Sequence, residues 1–202
     1  MSRIRIIGGA WRSRLIDIAA LPSLRPTPDR VRETLFNWLG QRLDGLACLD
    51  LFAGSGILGF EAASRGAASV TLLDIDPRAH AALRRNAEAL SAQVEIIRGD
   101  ALEFLAATPK RFDVVFIDPP YRQGWIDRVA PLLDRTIRPD GCIYVEAEAP
   151  PAALPGWRAI KQGRAGQVHF HLMFQSAPAT GRHGAEDIDS LPRMVIPLEG
   201  KV

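Results

Sequence analysis

The sequence predicts an α/β fold: a Rossmann-like, mostly parallel seven-stranded sheet ending in an antiparallel hairpin, with an N-terminal β-hairpin extension. Three observations carry this. Strand-like and helix-like patterns alternate from residue 47 to 146, as in a parallel sheet whose crossovers are helices. Asp50-Leu51-Phe52-Ala53-Gly54-Ser55-Gly56-Ile57-Leu58-Gly59 closes one strand and opens a helix with G-x-G-x-x-G spacing, the mark of a backbone that approaches a ligand closely. The apolar run Val114-Val115-Phe116-Ile117 stops at Asp118-Pro119-Pro120-Tyr121. That places an acid, two proline carbonyls and an aromatic ring at a strand's carboxyl end, where open α/β sheets bind ligands.

The elements follow in order. Residues 1–24 read as a basic β-hairpin arm: Arg3-Ile4-Arg5-Ile6 alternates, Gly8-Gly9 turns, and residues 11–18 alternate less cleanly. A helix follows, with Thr27 as N-cap, Pro28 at the first helical position, and an apolar stripe of Val31, Leu35, Trp38 and Leu39. Strands are expected over 47–52, 69–74, 94–98, 112–117 and 142–146. Helices are expected over 56–65, 77–90, 101–107 and 126–137, and Pro139-Asp140-Gly141 turns into the strand at 142. Residues 157–162 and 167–174, separated by Gly163-Arg164-Ala165-Gly166, form the closing hairpin. A Rossmann-like domain thus spans 25–175. Residues 176–202, rich in Ser, Ala, Pro, Thr, Gly and Asp without periodicity, read as a disordered tail.

Composition narrows the class. At 202 residues, 47% hydrophobic and 24% charged, the chain matches an ordinary globular protein with a real core. No apolar run approaches the roughly 20 residues of a membrane span, and the first residues do not lead into a signal-peptide core, so a cytoplasmic protein with no membrane contact is expected. Cys48 and Cys142 each sit in an apolar segment as buried thiols, and no Cys/His spacing suggests a metal. The net charge is only +2, yet arginines crowd the first 32 residues. Arg158, Lys161 and Arg164 form a second basic stretch, a pattern shared by phosphate-binding and merely solvated faces.

Three strand ends each offer an acid. Asp50 precedes the glycines, where a carboxylate repels a pyrophosphate but suits the ammonium of S-adenosyl-L-methionine. Asp74 can bond both ribose hydroxyls, and Asp100 can accept from an adenine amino group. Asp118-Pro119-Pro120-Tyr121 supplies the acceptor side. An aromatic exocyclic amine is a poor nucleophile because its lone pair is conjugated into the ring. Hydrogen bonds from it to the Asp118 carboxylate and the Pro119 carbonyl would draw the nitrogen toward tetrahedral geometry, while Tyr121 stacks on the base. Residue patterns alone leave four readings: an RNA amino-methyltransferase, a DNA adenine-N6 methyltransferase, a nicotinamide oxidoreductase and a non-catalytic RNA-binding assembly factor. His169 and His171 share one face of a late strand, read as edge-strand surface or an RNA-facing patch. His80 reads as exposed, and Trp125 is the tryptophan placed best for a substrate role.

The chain resembles the RsmD-type methyltransferases, which modify a guanine N2 in bacterial 16S ribosomal RNA. The matching stretches are Arg3-Ile4-Arg5-Ile6-Ile7-Gly8-Gly9-Ala10-Trp11-Arg12, Arg25-Pro26-Thr27-Pro28-Asp29-Arg30-Val31-Arg32-Glu33-Thr34-Leu35-Phe36, Asp50 through Gly59, Phe112 through Tyr121, and Arg164-Ala165-Gly166-Gln167. The resemblance implies a class I adenosylmethionine-dependent enzyme acting on the guanine at position 966. It also implies that the substrate is 16S rRNA within the small ribosomal subunit or its assembly intermediate; a monomer without metal is expected. Asp50, Gly54 and Gly56 would hold the methionine part, Asp74 the ribose and Asp100 the adenine side, with Phe52, Ala53, Ser55, Ile75 and Ala101 completing the cofactor-binding set. Asp118, Pro119, Pro120 and Tyr121 would bind the guanine. Arg3, Arg5, Arg12, Arg14, Arg25, Arg32 and Arg164 would contact RNA, with Arg25 and Arg32 at a phosphate or the cofactor loop. The chain departs from the family pattern at Ser13, where Gly is frequent, at Asp74, where Glu is common, and beyond residue 176.

Overall fold

The computed structural model describes residues 2–19, 27–148 and 154–176. The expected tail and Arg25 lie outside them. In chain order the elements are β1 (Arg3–Arg5), β2 (Leu15–Asp17), α1 (Asp29–Leu39), β3 (Ala47–Asp50), α2 (Ile57–Ser64), β4 (Ser69–Asp74), α3 (Pro77–Leu90) and β5 (Glu95–Arg98). They continue with α4 (Ala101–Ala107), β6 (Phe112–Ile117), α5 (Trp125–Leu133), β7 (Ile137–Ala147), β8 (Trp157–Ala165) and β9 (Val168–Gln175). The seven-stranded sheet has the order β5-β4-β3-β6-β7-β9-β8. Pairs from β5 to β7 are parallel, and β9 lies antiparallel to both β7 and β8.

The continuous apolar run of β6 reflects burial on both sides. Val114 and Phe116 enter one core with Leu35, Phe36, Phe60 and Leu83, while Val115 and Ile117 enter a second with Leu105, Val129 and Leu133. The chain builds β3, β4 and β5 outward in one direction, then crosses back to lay β6 on the other side of β3. Asp50, at the end of β3, pairs with Phe116 of β6. The order reverses between these two strands, so their carboxyl ends flank a natural crevice.

Several expectations are corrected. The first helix begins at Asp29 with Pro28 as N-cap and no side-chain cap, because Thr27 is turned inward. The helix expected to reach residue 137 ends at Leu133, and Pro139-Asp140-Gly141 is carried within β7, where the β6 pairing shifts register between Phe112 and Val114. The closing turn lies at Gly166-Gln167, so Gly163 and Arg164 belong to β8. β9 is an interior strand and β8 the edge. His171 is accordingly buried rather than on an edge surface, and His80 is half-buried.

The N-terminal arm is docked rather than free. Ile6 and Ile16 are fully buried in the main core. Glu61 of α2 accepts from the Ile7 and Gly8 N–H groups at 2.5 and 3.3 Å. The Ser64 hydroxyl donates to the Gly8 carbonyl at 2.6 Å and accepts from the Trp11 N–H at 2.9 Å. Asn86 of α3 makes paired bonds with the Asp17 backbone, each 2.9 Å. Ser13 has φ +70°, a left-handed conformation unfavourable for a residue with a Cβ.

Candidate active site

The carboxyl ends of β3, β4 and β6 and the first turn of α4 open into one cavity of about 310 Å³. Asp50, Phe52, Ala53, Gly54, Ser55, Asp74, Ile75, Asp100, Ala101 and the whole Asp118-Pro119-Pro120-Tyr121 segment line it. Gly56 sits directly behind, at the N-cap of α2 with φ +78°, a conformation that favours glycine. Residues chosen on separate strands are thus brought to one place.

The loop explains itself from its hydrogen bonds. The Gly59 N–H donates to Asp50 Oδ2 at 3.1 Å, so a carboxylate already occupies the first turn of α2, where a dinucleotide's pyrophosphate would lie. A Cβ on Gly59 would come within 2.1 Å of Leu72 Cδ2, so glycine there lets the helix press on the sheet. Asp74 accepts from the Gly54 N–H at 2.7 Å and the Asp76 N–H at 2.8 Å. It orders the glycine loop itself, and each oxygen retains a lone pair for a ligand hydroxyl. Asp100 caps α4, with Oδ1 accepting from Leu102 and Glu103 N–H groups at 2.8 and 3.1 Å; a capping role and a place on the cavity wall coexist. The Ser55 hydroxyl accepts from the Ile57 N–H at 3.3 Å. Ile75 projects an apolar side chain at the rim, 66% exposed.

Burial governs the electrostatics. Asp50 is pushed up to about 7, against the Gly59 hydrogen bond and with help from the charges of Asp74 and Glu146. Asp74 is raised mainly by burial. Burial drives Asp118 well above the usual carboxylate range, reinforced by Glu146 and then Asp50, and opposed by a Thr27 hydrogen bond. Such a cluster of desolvated acids attracts a cationic ligand.

Sequence reasoning missed Thr27 as a wall residue and Glu146 altogether. Thr27 read as a cap, and Glu146 as one polar residue in a strand. Their signal would have been spatial: β7 lies beside β6, so a residue near its end falls next to Asp118. Trp125 meets Phe52 at 5.3 Å between ring centroids and 62° between planes, and the Arg128 guanidinium lies 4.0 Å from its centroid. The two rings wall the side of the cavity next to Tyr121.

The predicted RNA contacts stay apart from this cavity, since none of Arg3, Arg5, Arg12, Arg14 and Arg164 lines it. Arg5 and Arg12 are exposed; Arg3 pairs with Asp17 at 3.0 Å, Arg14 donates to the Ala89 carbonyl, and exposed Arg164 braces the Gly166 carbonyl at 2.8 Å. Arg32 is a correction. Its side chain is 0% exposed, held by Glu61 and Asp29 at 2.6 Å each and by the Thr27 carbonyl at 3.2 Å, so it reaches no phosphate and instead ties α1 to α2. Among the described residues no cluster of three or more His, Cys, Asp or Glu could hold a metal, and no helix is long and apolar enough to cross a membrane.

Comparison with known proteins bears on this arrangement. Residues 4–174 match the family described as Conserved hypothetical protein 95. Ribosomal RNA small subunit methyltransferase D of Escherichia coli K12 is 41% identical over 181 residues, covering 87% of this chain and 91% of its own. The protein of the same name from Haemophilus influenzae is 42% identical over 178 residues, covering 84% and 92%. A solved Escherichia coli structure described as a candidate methyltransferase, yhhF, superposes with TM-score 0.79 at 41% identity, covering 88% of this chain and all of that one. With the switch-point cavity, the glycine loop and this coverage in agreement, the chain belongs to the RsmD family of class I methyltransferases.

Proposed function

We propose that the protein transfers a methyl group from S-adenosyl-L-methionine to the exocyclic N2 of a guanine in 16S rRNA, acting on the small ribosomal subunit or an assembly intermediate. The observation that carries this is the meeting of Asp50 and Asp118 in one cavity across the β3–β6 switch point.

The residues fit the cofactor chemically. Asp50 is a desolvated carboxylate suited to an ammonium, Asp74 offers lone pairs to a ribose diol, and Ile75 with Ala101 supplies apolar wall for a purine. Bound adenosylmethionine supplies an electrophilic methyl whose bonding electrons leave with sulfur. The chain's own work is orientation: the Asp118 carboxylate and the Pro119 carbonyl accept from the amine's N–H groups, and Tyr121 holds the ring. No covalent intermediate is needed. The names of the relatives point to small-subunit rRNA as substrate, and the exposed arginines of the arm supply phosphate contacts independent of sequence.

The test is radiolabelled methyl transfer to free 16S rRNA, small subunits and DNA, followed by nucleoside analysis. The expected product is N2-methylguanosine from subunit particles. Label in N6-methyladenosine from DNA overturns the reading, as does the absence of label from every RNA substrate.

A further inference from the structure

Among the described residues the cavity is lined by five aspartates, Asp50, Asp74, Asp76, Asp100 and Asp118, and by no lysine or arginine. A nucleic-acid strand carries a negative charge on every phosphate, so such a mouth repels the backbone of the nucleotide whose base it is to hold. A cation at the rim is needed to seat that strand. Arg78, at the start of α3, is engaged by Asp76 at 2.8 Å, and Arg122, directly after Tyr121, lies 3.5 Å from Glu148. Arg98 stands at the end of β5, with β4 and β3 between it and β6.

Arg128 differs from all three. It is exposed, and its guanidinium lies 4.0 Å from the centroid of the Trp125 ring, which belongs to the cavity wall. Its partner is thus an aromatic face instead of a carboxylate. The helix explains the contact: α5 begins at the cavity with Trp125, and a side chain three residues on leans back toward the N-terminus over the preceding turn. The ring is itself fixed. Its Nε1–H donates to Gln123 Oε1 at 3.0 Å, and Phe52 meets it at 5.3 Å between centroids. A guanidinium stacked by its face keeps its N–H groups directed outward in its own plane. That fork matches two oxygens of one phosphate.

We infer that Arg128, held on Trp125, binds the RNA phosphate next to the target nucleotide and anchors the strand at the mouth while its base enters the cavity. This deepens the methyltransferase reading and rests on it for the identity of the strand, though binding can be measured without turnover.

The test uses the full-length protein with 16S rRNA and with small subunits, in methyl transfer and in equilibrium binding over a series of salt concentrations. Arg128→Ala should raise the RNA KM about tenfold and leave kcat and the cofactor KM within about twofold. The slope of log affinity against log salt should fall in magnitude by about 1. Arg128→Lys keeps the charge without the planar fork, and should restore the slope but only part of the KM. Arg42→Ala, which removes an exposed arginine ahead of β3 at the opposite end of the strands, should change neither. An equal loss from Arg42→Ala reduces the effect to net charge and overturns the proposal. In a Trp125→Leu background, Arg128→Ala should cost less than about threefold; an undiminished cost overturns the stack as the holding device. A raised cofactor KM with the RNA KM unchanged assigns the pair to the cofactor and also overturns the proposal. Unchanged RNA KM and affinity in Arg128→Ala, with methyl transfer by the wild type intact, overturns the phosphate contact alone. A wild type that methylates no nucleic acid, yet loses RNA affinity on Arg128→Ala, overturns the functional reading alone.

Discussion

Asp118 and Arg32 answer to different physics. In the proposed function Asp118 would meet the amine, so Asp118→Ala is expected to lower methyl transfer by about a hundredfold or more, as for other acceptors aimed at a reacting group. Cofactor affinity, measured by titration calorimetry, should stay within about threefold, because the residues proposed to hold the methionine and ribose parts, Asp50 and Asp74, sit at the ends of β3 and β4. Loss of cofactor binding would remove Asp118 from the acceptor side. Arg32 has no part in the chemistry. It neutralises Glu61 where both side chains are 0% exposed, and deleting one partner of a buried pair strands the other charge. Arg32→Met is expected to cost about 3–5 kcal/mol in urea unfolding. A loss below about 1 kcal/mol would mean that Arg65, 3.4 Å from Glu61, suffices alone.

At the level of elements, the docked hairpin is a part of the core that carries arginines outward. Removing residues 1–18 would expose the faces covered by Ile6 and Ile16 and leave Glu61, Ser64 and Asn86 without their main-chain partners. That truncation should lower Tm by 10 °C or more, on the scale of about 4 °C per kcal/mol for a domain of this size. An unchanged Tm would show the hairpin to be dispensable to the fold. Ser13→Gly, by relieving φ +70°, should raise stability by about 0.5–1 kcal/mol in the same assay. The sequence made the central elements legible: α3, β4, α4 and β6 fall at their expected residues, because alternation, helical spacing and proline stops act locally. It misplaced what long-range pairing decides. β7 begins at Ile137 because it pairs with Phe112 across a bulge, and local turn chemistry at Pro139-Asp140-Gly141 cannot reveal that. In the site, the glycine loop, Asp50, Asp74 and Asp118 were legible as strand-end residues. Thr27 and Glu146 were not, since their meaning depends on which strand lies beside β6. Arg32 misled because its charge shows in sequence while its partner Glu61 is 29 residues away.

For the whole molecule, the shared sign of the buried acids sets the response to pH. Asp50 ionises near 7 when folded, against 3.8 for the ordinary group. Between those values the folded state holds a proton that the unfolded state has released, so stability rises as pH falls through that window. Asp74, Asp118 and Glu146 are raised in the same direction. Asp76, pulled down to about 2 by Arg78, opposes them only below about pH 4. Without cofactor, Tm should be higher at about pH 6 than at about pH 8. A cationic cofactor favours the charged form of Asp50, so its affinity should weaken as pH drops below about 7 and its presence should flatten the Tm profile. Equal Tm values at both pH values without cofactor would contradict the buried charge cluster. The same α3 that begins at the cavity with Asp76 ends beside the arm, where Asn86 and Ala89 meet Asp17 and Arg14. Fourteen helical residues rise about 21 Å. The helix is thus a ruler: under the proposed function, an RNA that fills the cavity and also meets Arg14 must reach across about 20 Å, and fragments too short to do so should bind more weakly.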